Sequence, residues 1–133
     1  MSSRRKGLRN ERKAGSVFER LGFSVERVKH TRYGSNDFFG VFDLFCLKEG
    51  VKPVLVQVKS NDFGGISKLT DNCGGLVDLD FVCVEFWVWK DYNGWEIRRL
   101  DVDDDGGFVW NVLCDESVGD CLYRGLDLGD VDY

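Results

Sequence analysis

Residues Phe42–Ser60 read FDLFCLKEGVKPVLVQVKS. Two runs rich in β-branched and aromatic residues are joined by KEGVKP, in which Gly50 and Pro53, the chain's single proline, supply turn chemistry. Three hydrophilic residues, Asp43, Gln57 and Lys59, interrupt what is otherwise the inside of a sheet. With the chain reversing at Gly50, Asp43 faces Gln57 across the hairpin, and Lys59 points the same way two residues on. The three polar groups therefore gather at one end of one sheet face.

Outward from the hairpin, Arg4 to Leu21 has helical periodicity and stops at Gly22, a residue suited to the left-handed position past a helix end. Leu8, Ala14, Gly15, Val17, Phe18 and Leu21 share one arc, and Arg9, Arg12, Lys13 and Arg20 lie opposite. Glu11 falls inside the apolar arc, where an ionised carboxylate needs a cationic companion. Phe23–Lys29 and Phe38–Leu47 read as strands separated by the polar connection HTRYGSND. After Val54–Ser60, the glycine-rich NDFGGISKLTDNCGG holds a short helix, weakened by its glycines. Phe81–Lys90 reads as a central strand apart from Glu85, and Asn93-Gly94 marks a tight hairpin into Trp95–Leu100.

The 133-residue chain is one domain's worth. The expectation is a core over residues 1–100 and an acidic extension over 101–133, whose membership of the same domain stays open. Phe108–Leu113 is a candidate last strand, and the end reads as loosely ordered. The five cysteines are odd in number with no CxxC spacing, so they read as buried, reduced thiols. The basic opening MSSRRKGLRNERK lacks the apolar middle of a signal peptide, and no run approaches the roughly 18 apolar residues of a membrane span. A soluble, cytoplasmic protein of prokaryotic or viral origin is expected.

The net charge of −5 hides a polarity: 13 Lys and Arg against 6 Asp and Glu up to Ser60, then 5 against 17. Ten of the first 13 cations precede Tyr33, a density that points to a polyanion such as nucleic acid. Arg4, Arg5, Lys6, Arg9 and Arg12, with Arg27 and Arg32, are the candidate phosphate contacts. A carboxylate pair with a carboxamide oxygen suits a hard cation such as Mg²⁺ or Mn²⁺, and a neighbouring lysine can orient water or stabilise a phosphorane-like transition state. The plainer reading of Glu11, Asp43 and Lys59 is a partly buried salt-bridge network without ligand. His30, the single histidine, reads as a loop residue without chemistry. Trp87, Trp89 and Trp95 read as core, or as a dimer seam if two of them face outward.

The run KGLRNERKAGSVFERLGFSVERV, with Gly7, Glu11-Arg12, Gly22-Phe23, Val25 and Arg27, resembles the opening of archaeal Holliday junction resolvases and their relatives in the PD-(D/E)XK nuclease superfamily. SNDFFGVFDLFCL and VLVQVKS then resemble that superfamily's Asp strand and (D/E)-x-K strand. The resemblance covers about residues 4 to 61. It implies an α/β fold with a central mixed β-sheet flanked by helices, a restriction-endonuclease-like core. It also implies a Mg²⁺-dependent, structure-selective endonuclease acting on branched or duplex DNA as a homodimer, away from membranes. Glu11 and Asp43 would ligate or water-bridge the metal, Gln57 would add an oxygen, Lys59 would assist the attacking water, and Ser35 would reach the scissile phosphate. Gln57 departs from the usual carboxylate and leaves one negative charge fewer, lowering metal affinity. A non-catalytic DNA-binding module on a nuclease-like scaffold is the alternative. A third reading gives the function to the acidic end, as a nucleic-acid mimic or a solubilising tail in high salt.

Overall fold

The computed structural model describes residues 3–31, 34–35, 38–39, 41–119 and 121–133, with the backbone alone for 3–4, 30–31 and 34–35. Arg32 lies outside the described residues. Helix α1 (Ser3–Arg20) opens the chain. Ala14, Val17 and Phe18, at helical spacing, are fully buried. The helix ends as expected: Gly22 takes a φ of +91°, and the Phe23 N–H donates back to the Phe18 carbonyl at 3.0 Å.

Six strands form the main sheet: β1 (Ser24–Arg27), β4 (Leu44–Leu47), β5 (Val54–Ser60), β6 (Cys83–Lys90), β7 (Gly94–Val102) and β8 (Phe108–Asp115), adjacent in that order. Only β5 and β6 run parallel; the other neighbours are antiparallel. The parallel pair is joined through helix α2 (Ile66–Cys73), as a same-direction return requires. Strand β5 alternates cleanly. Val54, Val56 and Val58 pack with Ala14, Val17 and Phe18 of α1, whereas Leu55 packs with Leu69 and Cys73 of α2 and Phe86 of β6. One helix thus covers each face of a mixed sheet, the α/β layout expected from the sequence.

Several boundaries shift. Between β1 and β4, β2 (His30–Thr31) and β3 (Gly34–Ser35) make a two-residue ladder in which His30 pairs with Ser35. Phe38–Leu47 is not one strand. Phe38 and Phe42 exchange backbone hydrogen bonds of 2.8 and 2.9 Å, folding the chain onto itself before β4 begins. Asn93-Gly94 does not sit at the centre of its hairpin either: Gly94 already pairs with Lys90, so residues 91–93 make the reversal.

The acidic end is not loose. Strand β8 lies along β7, and β9 (Leu122–Tyr123) pairs with β10 (Leu126–Asp127). Cys121, Tyr123 and Leu128 are buried in the same cluster as Phe18 and Trp87. Apolar residues spaced between the acids carried this signal, which the charge count concealed. Trp87 and Trp95 are fully buried with rings 5.2 Å apart, so no outward tryptophan pair offers a dimer seam. The thiol reading also needs correction: Cys114 and Cys121 form a disulfide, with Cα atoms 5.2 Å apart, while Cys46, Cys73 and Cys83 are free. A short-range β8–β9 reversal brings the two together, a proximity that spacing alone does not reveal. Among the described residues no helix is long and apolar enough to cross a membrane.

Candidate active site

The β4–β5 register is the one expected from a reversal at Gly50: Leu44 faces Val56, Phe45 faces Leu55 and Cys46 faces Val54. The ladder stops there. Asp43 donates its N–H to the Val56 carbonyl at 2.8 Å, and its Oδ2 accepts the Val58 N–H at 2.8 Å. Val56 and Val58 present their backbone groups to the same edge of β5. The Asp43 carboxylate thus stands where the next strand residue would have been, closing the gap as β4 turns away. Its burial (5% exposed) follows from that position.

Gln57 and Lys59 alternate with Val56 and Val58 and so belong to the α2 side of the sheet. They line a cleft of about 230 Å³ with Lys68 and Asn72 of α2. The Lys59 ammonium donates to the Gly64 carbonyl at 2.8 Å, in the loop that leads into α2. Lys68 and Asn72 were not singled out in the sequence. Their i, i+4 spacing beside the buried pair Leu69 and Cys73 was the available signal.

Glu11 comes from the opposite layer. It is buried at 8% exposed, and Asn10 beside it is fully buried. Asn10 Nδ2 donates to Ser60 Oγ at 2.7 Å, which anchors this turn of α1 at the end of β5 that carries Lys59. Helix α1 covers the valine face and Gln57 and Lys59 open on the other, and the β5 edge that β4 has left lies between the two layers. Asp43 occupies that edge. Among the described residues, no three His, Cys, Asp or Glu side chains gather as a metal-binding group. The candidate donor set has two carboxylates and one amide oxygen, which suits a Mg²⁺ ion that keeps several waters and shares its shell with a phosphate.

The cations of α1 differ in their surroundings. Arg9 and Arg12 are exposed and make no ion pair among the described residues. Lys6 pairs with Asp91. The Lys13 ammonium sits 3.7 Å from the Trp89 ring centre; burial, then the charge of Arg9, lowers its pKa. Arg5 is exposed, and Arg4 lies in the same helix. Arg27 is committed elsewhere. Its Nη2 donates to Glu19 Oε1 at 2.6 Å, and it lies so close over α1 that a Cβ on Gly15 would come within 2.5 Å of it. Ser35 lies on β3, and its side chain is outside what is described.

A second polar centre is buried in the α1 layer. Glu85, fully buried, accepts from Trp87 Nε1 at 2.9 Å and Tyr123 OH at 2.5 Å on one oxygen. Its other oxygen accepts from Arg99 Nη2 at 3.0 Å and lies 3.7 Å from Arg124 Nη2. Burial, then the neighbouring carboxylate, pushes the Tyr123 hydroxyl well above its ordinary pKa, so it stays a donor. With every member satisfied, this is a structural network. It answers why a central strand carries a glutamate.

Neither a protein-family model nor a curated protein matches the sequence. Among solved structures, the fold is similar to that of Hjc, a Holliday junction resolvase from the archaeal hyperthermophile Archaeoglobus fulgidus, with a TM-score of 0.48, 18% identity and coverage of 85% of this chain and 86% of that one. A likeness of that degree does not bear on activity.

Proposed function

We propose that the protein is a divalent-metal-dependent DNA endonuclease of the Holliday junction resolvase type, selective for DNA structure, that hydrolyses phosphodiester bonds. The observation that carries the reading is the placement of Asp43: a buried carboxylate that ends the β4–β5 ladder by taking the Val58 N–H, at the edge between Glu11 on one layer and Gln57 and Lys59 on the other. Glu11, Asp43 and the Gln57 oxygen would hold Mg²⁺ or Mn²⁺. The bound ion supplies Lewis acidity toward a phosphoryl oxygen and a lowered pKa for water.

The chain's own residues have separable tasks. Asp43 is held in place by a backbone donor, which fixes its rotamer before any ligand arrives. Lys59 would exchange the Gly64 carbonyl for a phosphate oxygen or the attacking water, offering charge where it develops. Ser35 would reach the scissile phosphate. Arg4, Arg5, Lys6, Arg9 and Arg12 would grip the sugar-phosphate backbone without reading sequence. Arg32 would add a further phosphate contact, and Arg27 would do so only by releasing Glu19. A twofold dimer would match a twofold DNA substrate.

The test is an assay on four-way, nicked and plain duplex DNA with Mg²⁺ or Mn²⁺, with EDTA as control. Metal-dependent cutting that Asp43→Ala and Lys59→Ala abolish is the expected result; cutting undiminished by either removes them from the mechanism. A second reading is favoured by the neutral Gln57: a DNA-binding module that does not cut. It expects salt-sensitive binding with no product under any metal.

A further inference from the structure

Tyr92 stands completely out of the protein, at 104% relative exposure, on the tip of the β6–β7 hairpin. Its backbone lies in the left-handed region, with φ +68°. Asn93 donates its N–H to the Lys90 carbonyl at 2.9 Å, so residues 90–93 form a four-residue turn with Tyr92 third. That position, with positive φ, is the ordinary place of glycine or asparagine. An aromatic residue there carries a conformational penalty that no packing offsets, since the ring touches nothing in the fold. The fold therefore gives no reason for tyrosine at this position.

The turn beneath the ring is well held. Asp91 pairs with Lys6 of α1, and its N–H donates to Asn61 Oδ1 at 3.1 Å. Asn61 Nδ2 reaches Asp91 Oδ2 at 3.4 Å. Between the turn and α1 lies an open cleft of about 400 Å³, lined by Lys6, Arg9, Trp89, Asp91 and Tyr92. The one acid in this lining already has a cation. Arg9 makes no salt bridge among the described residues and only adds to the positive field on Asp91, and Lys13 is crowded nearby against Trp89. An exposed ring on a fixed turn, beside an exposed guanidinium held in no salt bridge among the described residues, is the pairing that a nucleotide offers in reverse: a flat base and a phosphate.

We propose that the β6–β7 turn and the outer face of α1 bind an unpaired nucleotide, its base stacked on Tyr92 and its phosphate on Arg9. This deepens the nuclease reading by naming the feature of the DNA that is recognised, and it rests only on the DNA-binding part of that reading. Stacking is indifferent to base identity, so the site selects single-stranded character.

The experiment measures binding in EDTA, where no cutting interferes, by fluorescence anisotropy on two DNAs of equal length: a plain duplex and a duplex interrupted by an unpaired segment. In the wild-type chain the interrupted DNA should bind more tightly. Tyr92→Gly should weaken that complex by about 5- to 100-fold and leave the plain duplex within about twofold, while Tyr92→Trp retains the preference. Because glycine relieves the positive φ, the melting temperature of Tyr92→Gly should not fall, which separates binding from folding. Arg9→Ala should weaken both complexes. Equal affinity of the wild-type chain for the two DNAs overturns the proposal, as does a Tyr92→Gly variant that loses both complexes alike or neither. Binding with the expected preference but no cleavage in Mg²⁺ removes the endonuclease and leaves this site standing; no binding to either DNA overturns both.

Discussion

Asp43 illustrates how much one carboxylate does locally. It ends a ladder, accepts a buried N–H and, on our reading, contributes a charge to a metal. These tasks separate under Asp43→Asn, whose amide oxygen still accepts from Val58 but carries no charge. The variant should melt like the wild type while its half-saturating Mg²⁺ concentration for cleavage rises roughly 10- to 100-fold, read by metal titration of the cutting rate. Gln57→Glu moves the same quantity the other way. Both changes leave the fold in place, and a shift in melting temperature of several degrees in Asp43→Asn would instead make Asp43 a structural residue. The residue types and their spacing were legible in the sequence, because a hairpin's register follows from its turn. The carboxylate's backbone partner was not, since it depends on where the ladder stops.

At the scale of elements, the Glu85 centre ties β6 and β7 to the β9–β10 hairpin. A buried carboxylate facing two guanidiniums is compensated only while all the partners are present. Tyr123→Phe deletes one donor to a charged acceptor and should cost about 1.5 to 3 kcal/mol. Glu85→Ala leaves Arg99 and Arg124 without their anion and should cost about 3 to 5 kcal/mol. Urea unfolding measures both, and a Tyr123→Phe variant as stable as the wild type would mean that the ring's packing, not its hydroxyl, matters. The thiols give a second prediction. Burial raises the pKa of Cys46 to about 12 and of Cys73 to about 11, so neither holds appreciable thiolate at neutral pH. In the oxidised native protein, alkylation followed by mass spectrometry should mark Cys83, the half-buried one, and spare the other four. Unfolding without reductant should then expose Cys46 and Cys73, and reduction should add Cys114 and Cys121.

For the whole molecule, the acidic segment 101–133 is packed into the fold. Removing residues 101–133 strips β8 from β7 and takes Cys121, Tyr123 and Leu128 out of the core around Phe18 and Trp87. The shortened chain should lose its cooperative thermal transition by circular dichroism; a truncated chain that melts sharply and still cuts DNA would make the end an accessory. Charge polarity and core membership are thus different properties of the same segment. Among the acids, Cys114, Cys121, Tyr123 and Leu128 face inward, while Val102, Val112, Val118 and Leu122 stay exposed.

The order of elements was written in the sequence: a helix with one apolar arc closed at Gly22, a hairpin reversing at Gly50, a short helix in the glycine-rich stretch, and a central strand at Phe81–Lys90 trimmed at its start. Periodicity and turn residues are local properties, and local properties survive without the fold. The mixed sheet flanked by helices follows from them, as does the β4–β5 register that a reversal at Gly50 sets. Only the tertiary structure decided that α1 covers one face of β5 while Gln57 and Lys59 open on the other. The same holds for Glu85 finding two arginines and a tyrosine, Cys114 meeting Cys121, and Tyr92 standing beside Arg9. Each of these joins residues distant in the chain, or a turn whose exact reversal point is set by the strands around it. Such contacts arise from packing the whole chain, which no window of neighbouring residues encodes.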